Sequence, residues 1–130
     1  MAKPLTIGQL ARQAGVNIET IRYYQRLGII NEPKKPEAGY RIYPQESVER
    51  ILFIRRAKQL GFSLKEIAEL LELGDGHCDD VRQRAEDKQT QIAKQIQDLQ
   101  NLQQTLGELI KSCQQKKNNT PCPIVEALSS

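Results

Sequence analysis

Tryptophan is missing from these 130 residues, phenylalanine occurs twice and tyrosine four times, so aromatics make up only 5% of the chain. A core built with so few large rings is modest, and a compact domain joined to an extended helical element suits this length better than a single sphere. Apolar runs are short as well. None approaches the roughly 18 residues of a membrane span, and the opening Met-Ala-Lys-Pro-Leu-Thr lacks the apolar core of a secretory signal. The expectation is a cytoplasmic protein with no membrane partner. No nucleophile-base-orienter set, placed pair of acid/base carboxylates or phosphate-cradling glycine loop is present, which argues against an enzyme. Cysteine is scarce and odd in number, at Cys78, Cys113 and Cys122. In such a compartment that argues against a disulfide framework and for reduced thiols available as ligands.

The net charge of +3 is unevenly spread. Residues 1–73 carry twelve Lys and Arg against eight acidic residues, while residues 74–130 carry seven against eight. A local positive excess is common in soluble proteins, so only the motif beneath it can point to nucleic acid.

That motif begins with Thr6-Ile-Gly-Gln9, a capping box opening a helix that Gly15 ends. Asn17 is a suitable N-cap for a second helix from Ile18 to about Leu27, stopped by Gly28. Two short helices with Ile7, Leu10, Ala11, Val16 and Ile21 facing one another make a helix-turn-helix. Pro33, Lys34, Lys35, Pro36 and Gly39 then separate β-prone pieces ending in Tyr40-Arg-Ile-Tyr43, which predicts a hairpin with a basic loop, a wing. Thr20, Arg22, Tyr23, Tyr24 and Arg26 on the second helix, with Lys34, Lys35, Arg41 and Tyr43 in the wing, are the candidate DNA contacts. Each taken singly is a phosphate contact before it is a base reader, because most protein–DNA hydrogen bonds go to the backbone.

The fold class expected is mainly α. Residues 1–73 form a winged helix-turn-helix DNA-binding domain, with the helix-turn-helix over about 6–28, the wing over about 29–43, and helices over about 45–60 and 63–73. Residues 74–130 hold a dimerisation helix over about 79–113, then a metal-binding loop with a short terminal helix over about 114–128.

In the long helix, Val81, Ala85, Ile92, Ile96, Leu99, Leu102, Leu106, Leu109 and Cys113 recur at threes, fours and sevens. Such a narrow apolar stripe on a polar helix about 50 Å long needs a partner helix, most simply its own copy. Periodicity alone does not choose between parallel and antiparallel pairing, and Lys88 interrupts the stripe. The thiols favour antiparallel. Cys113 and Cys122 bracket a polar loop that lets both sulfurs meet one ion, whereas Cys78 lies about 50 Å away along its own helix. Cys78 can join them only from an antiparallel partner, giving a three-thiolate site at the interface in two symmetric copies. Thiolates select soft ions, and Lys116 and Lys117 can offset the negative charge of three. His77 beside Cys78 is read as solvent-facing or supporting rather than as a ligand.

The strings Thr6-Ile-Gly-Gln-Leu-Ala, Val16-Asn-Ile-Glu-Thr-Ile-Arg-Tyr-Tyr-Gln-Arg-Leu-Gly28, Tyr40-Arg-Ile-Tyr43 and Leu60-Gly-Phe-Ser-Leu-Lys-Glu-Ile67 resemble the MerR family of bacterial transcription regulators over essentially the whole chain. Gly76-His-Cys78, the step from Cys113 to Cys122 and Cys122-Pro-Ile resemble the mercury-responsive branch of that family. The resemblance implies a winged-helix homodimer joined by an antiparallel coiled coil, with Cys78 of one protomer and Cys113 and Cys122 of the other binding Hg(II), one ion at each of two sites. It further implies partners and a mechanism: the dimer sits on a pseudo-palindromic promoter, represses without metal, and on metal binding distorts the DNA so that RNA polymerase can use it. Copper(I) sensors of the family carry serine where Cys78 stands. Zinc sensors carry paired cysteines and a loop histidine, whereas here Ser112 precedes Cys113. Lead and cadmium sensors share all three cysteines, so Pb(II) and Cd(II) stay as alternatives, with Pro123 after Cys122 favouring mercury. A DNA-binding regulator whose thiols sense oxidants is the other alternative.

Overall fold

A computed structural model of the chain describes residues 4–116 and 120–129. They form six helices: α1 (Ile7–Ala14), α2 (Ile18–Arg26), α3 (Glu46–Gln59), α4 (Leu64–Leu73), α5 (Cys78–Gln115) and α6 (Pro123–Ser129). The chain divides into two compact units, Met1–Arg84 and Ala85–Ser130.

In the first unit the helix ends are set by local chemistry. The Gln9 N–H donates to Thr6 Oγ1 at 3.3 Å and the Thr6 N–H donates to Gln9 Oε1 at 2.9 Å, so two N–H groups at the start of α1 are satisfied reciprocally. Gly15 closes the helix at φ 71°, the left-handed region where a side chain is strained. Asn17 Oδ1 accepts from the Thr20 N–H at 2.7 Å and starts α2. At α4 the box repeats, with the Glu66 N–H on Ser63 Oγ at 3.1 Å and the Ser63 N–H on Glu66 Oε1 at 2.8 Å.

α1 packs on α2 and α3, and α3 on α4. Leu10, Ile21, Ile51, Ile54 and Ile67 are fully buried between them. Each such aliphatic side chain contributes about 1.5–3 kcal/mol relative to exposure, and these five bind α1, α2, α3 and α4 into one core. Two arginines of α3 fasten the connections. Arg55 Nη1 donates to the Ala14 carbonyl at 2.8 Å, satisfying an acceptor left over at the end of α1, and Arg50 Nε donates to the Ile29 carbonyl at 3.0 Å.

Over 29–43, where a hairpin is expected, the described residues show no ladder of paired strands. Among the described residues the β pairing is a single antiparallel bridge, in which Tyr43 and Leu5 exchange N–H···O bonds of 2.7 and 2.9 Å. The cause is local: Pro33 and Pro36 have no N–H to donate to a ladder. The segment is nevertheless drawn back on itself by one side chain, because Arg41 Nε lies 3.1 Å from the Pro33 carbonyl and 3.1 Å from Glu32 Oε1. The basic loop of the wing therefore exists without its sheet.

α5 runs unbroken for 38 residues, one residue earlier and two later than the expected 79–113. Ile92, Ile96, Leu99, Leu102, Leu106 and Ile110 are all exposed along it, Leu99 at 64%. Lys88, the interruption of the stripe, is 7% exposed, and its Nζ donates to Gln91 Oε1 at 2.7 Å. Cys122 precedes α6 and accepts the first helical bond, from the Glu126 N–H at 3.0 Å, and Pro123 occupies the first helical position, where a missing N–H costs nothing.

Candidate functional site

The thiols are positioned by helix ends. Cys113 lies in the last turn of α5 and Cys122 immediately before α6, and their sulfurs are 3.9 Å apart. Both side chains are half-buried and neither is in a disulfide. Two sulfurs at that separation can both bond one ion, since twice a metal–sulfur distance of about 2.3 Å exceeds it. The two thiols differ in acidity. The N–H groups of Val125 and Ile124 point at Cys122 and hold its pKa below the ordinary thiol value, since they favour the thiolate. The hydrogen bond with Cys122 raises the pKa of Cys113. Lys116 lies close enough to favour both thiolates, a smaller effect. Lys117 is outside the described residues.

Cys78 opens α5 and is exposed. With 1.5 Å of rise per residue, about 50 Å of helix separates it from Cys113. Among the described residues no three His, Cys, Asp or Glu side chains converge to hold a metal, and Cys113 and Cys122 meet as a pair. His77 Nδ1 is held against the Leu73 carbonyl at the end of α4.

The candidate DNA contacts separate into two groups. Arg22, Tyr23 and Arg26 are exposed on α2 and Lys34, Lys35 and Arg41 on the wing. Arg22 Nη1 pairs with Glu19 at 3.0 Å, and the Arg26 guanidinium lies 5.7 Å from the centre of the Tyr23 ring. Thr20, half-buried, spends its hydroxyl on Asn17 Oδ1 at 2.8 Å. Tyr24 and Tyr43, read from the sequence as DNA-facing, are instead core residues, 4% and 2% exposed. Tyr24 follows Ile21 by three positions on the buried face of α2, and burial raises its pKa against the opposing pull of Arg55. Tyr43 is fixed by the bridge to Leu5, and its hydroxyl accepts from Gln25 Nε2.

Thr6, Ile7 and Gly8 at the start of α1, with Arg22, Tyr40, Arg41 and Tyr43, line a groove of about 410 Å³. It brings one arginine of α2 and one of the wing to a single surface. Tyr40, 82% exposed, was missed as a candidate. The signal was available in the alternation of Tyr40-Arg-Ile-Tyr43, because burying Tyr43 in extended backbone turns Tyr40 and Ile42 outward.

A helix-turn-helix presenting arginines beside a basic loop defines the class as a DNA-binding transcription regulator. The chain matches the MerR HTH family regulatory protein pattern over residues 5–73, and the pattern described as MerR, DNA binding over residues 48–109. It is 46% identical to the mercuric resistance operon regulatory protein of Shigella flexneri over 125 residues, covering 95% of this chain and 87% of that protein. The corresponding Bacillus cereus protein is 44% identical over 125 residues, covering 94% of this chain and 95% of its own length. Among solved structures, the mercury(II) complex of the MerR regulator from Bacillus megaterium aligns with TM-score 0.76 at 38% identity, covering 97% of this chain and 100% of that one. The lead(II) complex of a transcription regulator from Ralstonia metallidurans aligns with TM-score 0.83 at 30% identity, covering 95% and 98%. The chain belongs to the MerR family of helix-turn-helix regulatory proteins.

Proposed function

We propose that this chain is a mercury-responsive transcription regulator of a resistance operon, acting as a homodimer on promoter DNA. The observation that carries the reading is the pair of thiols 3.9 Å apart, two-thirds of a soft-metal site, one of them at the end of a helix whose apolar row is exposed. Cys113 and Cys122 of one protomer and Cys78 of the other hold one Hg(II), and two-fold symmetry gives two sites per dimer. Arg22, Tyr23, Arg26, Lys34, Lys35 and Arg41 hold the promoter, mainly through phosphates. The dimer represses without metal and, with mercury bound, activates by distorting the promoter for RNA polymerase. The names of the mercuric resistance relatives and of the mercury(II) complex support the choice of ion.

Each of Cys78→Ser, Cys113→Ser and Cys122→Ser abolishes mercury-dependent activation and leaves operator binding nearly intact. A sharper experiment mixes a Cys78→Ser chain with a chain carrying Cys113→Ser and Cys122→Ser. In the mixed dimer one site is whole, so half the metal capacity of the wild-type dimer returns; no recovery overturns the shared site. The likeness to the lead(II) complex supports a second reading, a Pb(II)- or Cd(II)-responsive regulator. Competition of the three ions for the reduced protein, read in the ultraviolet thiolate-to-metal bands, separates the readings.

A further inference from the structure

We propose that Cys113 and Cys122 are also an oxidation site, which a hydroperoxide closes to an intramolecular disulfide that switches off metal responsiveness while operator binding persists. The blocking of metal uptake rests on the function proposed above; the closure itself rests on geometry alone. The sulfurs already lie 3.9 Å apart, so bonding distance, about 2.05 Å, requires a shift of about 1.9 Å shared between two side chains. The two cysteines are nine residues apart, and both are described within the second unit. Closure thus joins the end of α5 to the start of α6 without engaging α1, α2, α3 or α4. Cys78 opens α5 and takes no part in this scheme.

The chemistry balances with the oxidant named. One thiolate attacks a hydrogen peroxide oxygen, the O–O bond breaks, an S–O bond forms, and hydroxide leaves as water with the thiol's proton. The second sulfur attacks the first, the S–O bond breaks and the S–S bond forms, and the sulfenic oxygen leaves as a second water. Two thiols and one peroxide become one disulfide and two waters. Two ligands of the metal site are then consumed, and a dithiol reductant restores them by exchange.

The test uses the full-length reduced protein bound to an operator fragment and treated with hydrogen peroxide. Disulfide mapping by mass spectrometry is expected to find Cys113 joined to Cys122 within one chain. The mercury charge-transfer band is then lost, while the operator shift is retained and dithiothreitol restores the band. Mapping that finds Cys78 cross-linked between chains instead, or no disulfide before sulfinic acid forms, overturns the closure. An undiminished mercury band on the mapped disulfide form, or loss of the operator shift, overturns its proposed consequence. Reduced protein that takes up no mercury refutes the function proposed above, and mapping still decides the closure.

Discussion

The two units of this chain treat their apolar side chains in opposite ways. In the first, Leu10, Ile21, Ile51, Ile54 and Ile67 are sealed among four helices. In the second, Ile92, Ile96, Leu99, Leu102, Leu106 and Ile110 form an exposed row. The first contains its own reason to fold. In proteins most helical stability comes from packing an apolar face, and the row on α5 is left exposed. The contrast fits the proposed homodimer: the first unit presents arginines on a packed core, and the exposed row of the second is what a second copy would cover.

The most direct way to break this contrast is to charge the row. Leu99→Glu with Leu102→Glu removes two side chains each worth about 1.5–3 kcal/mol on burial and sets like charges near one another, so the dimer dissociates in sedimentation experiments. The cooperative melting of the first unit persists; a dimer that survives refutes the assignment. Next in size, Ile51→Ala empties a site at the centre of α3 and destabilises the first unit by about 2–5 kcal/mol in denaturant unfolding. Its effect on α5 pairing is expected to be minor. Gly15→Ala follows, at about 1–2 kcal/mol from the left-handed backbone alone.

The smallest effect concerns pH. Cys122, with its pKa lowered, stabilises the end of the chain above the unfolded thiol value, and this contribution is lost as pH falls through the lower folded value. Cys113, with its pKa raised, behaves in the opposite sense: its contribution is complete below the unfolded value and lost as pH rises through the folded one. Site-resolved alkylation against pH is expected to label Cys122 at lower pH than Cys113. The reverse order would contradict the hydrogen-bond direction between them.

Much of this was legible from local patterns. Thr6 with Gln9, Ser63 with Glu66, Asn17 and Gly15 each announce a helix end through bonds spanning only a few residues. The stripe of α5 was legible for the same reason, since a period needs no partner to be seen. Tyr24 and Tyr43 were misread because tyrosine has an apolar ring and a polar tip, and only tertiary packing decides which of them governs. In the wing, Pro33 and Pro36 have no N–H to donate, so β-prone residues there do not disclose how far pairing extends. Arg55 was invisible for another reason: its acceptor, the Ala14 carbonyl, lies 41 positions away. The meeting of Cys113 with Cys122 was expected from the loop length, whereas their unequal acidity comes from backbone N–H groups whose direction no spacing discloses.

The bond from Arg55 to Ala14 also constrains how this sequence can drift. A Cβ on Gly15 would stand 2.6 Å from Arg55 Nη1, so the guanidinium must withdraw from its carbonyl before any side chain is admitted at the turn. Positions 15 and 55 are thus epistatic. Arg55→Ala makes room for Gly15→Ala but leaves the backbone strain, and a double-mutant cycle is expected to show a penalty smaller than the sum of the two single changes. A lineage that loses either residue first crosses a less stable intermediate, which makes the turn of the helix-turn-helix slow to change even though Gly15 itself is exposed.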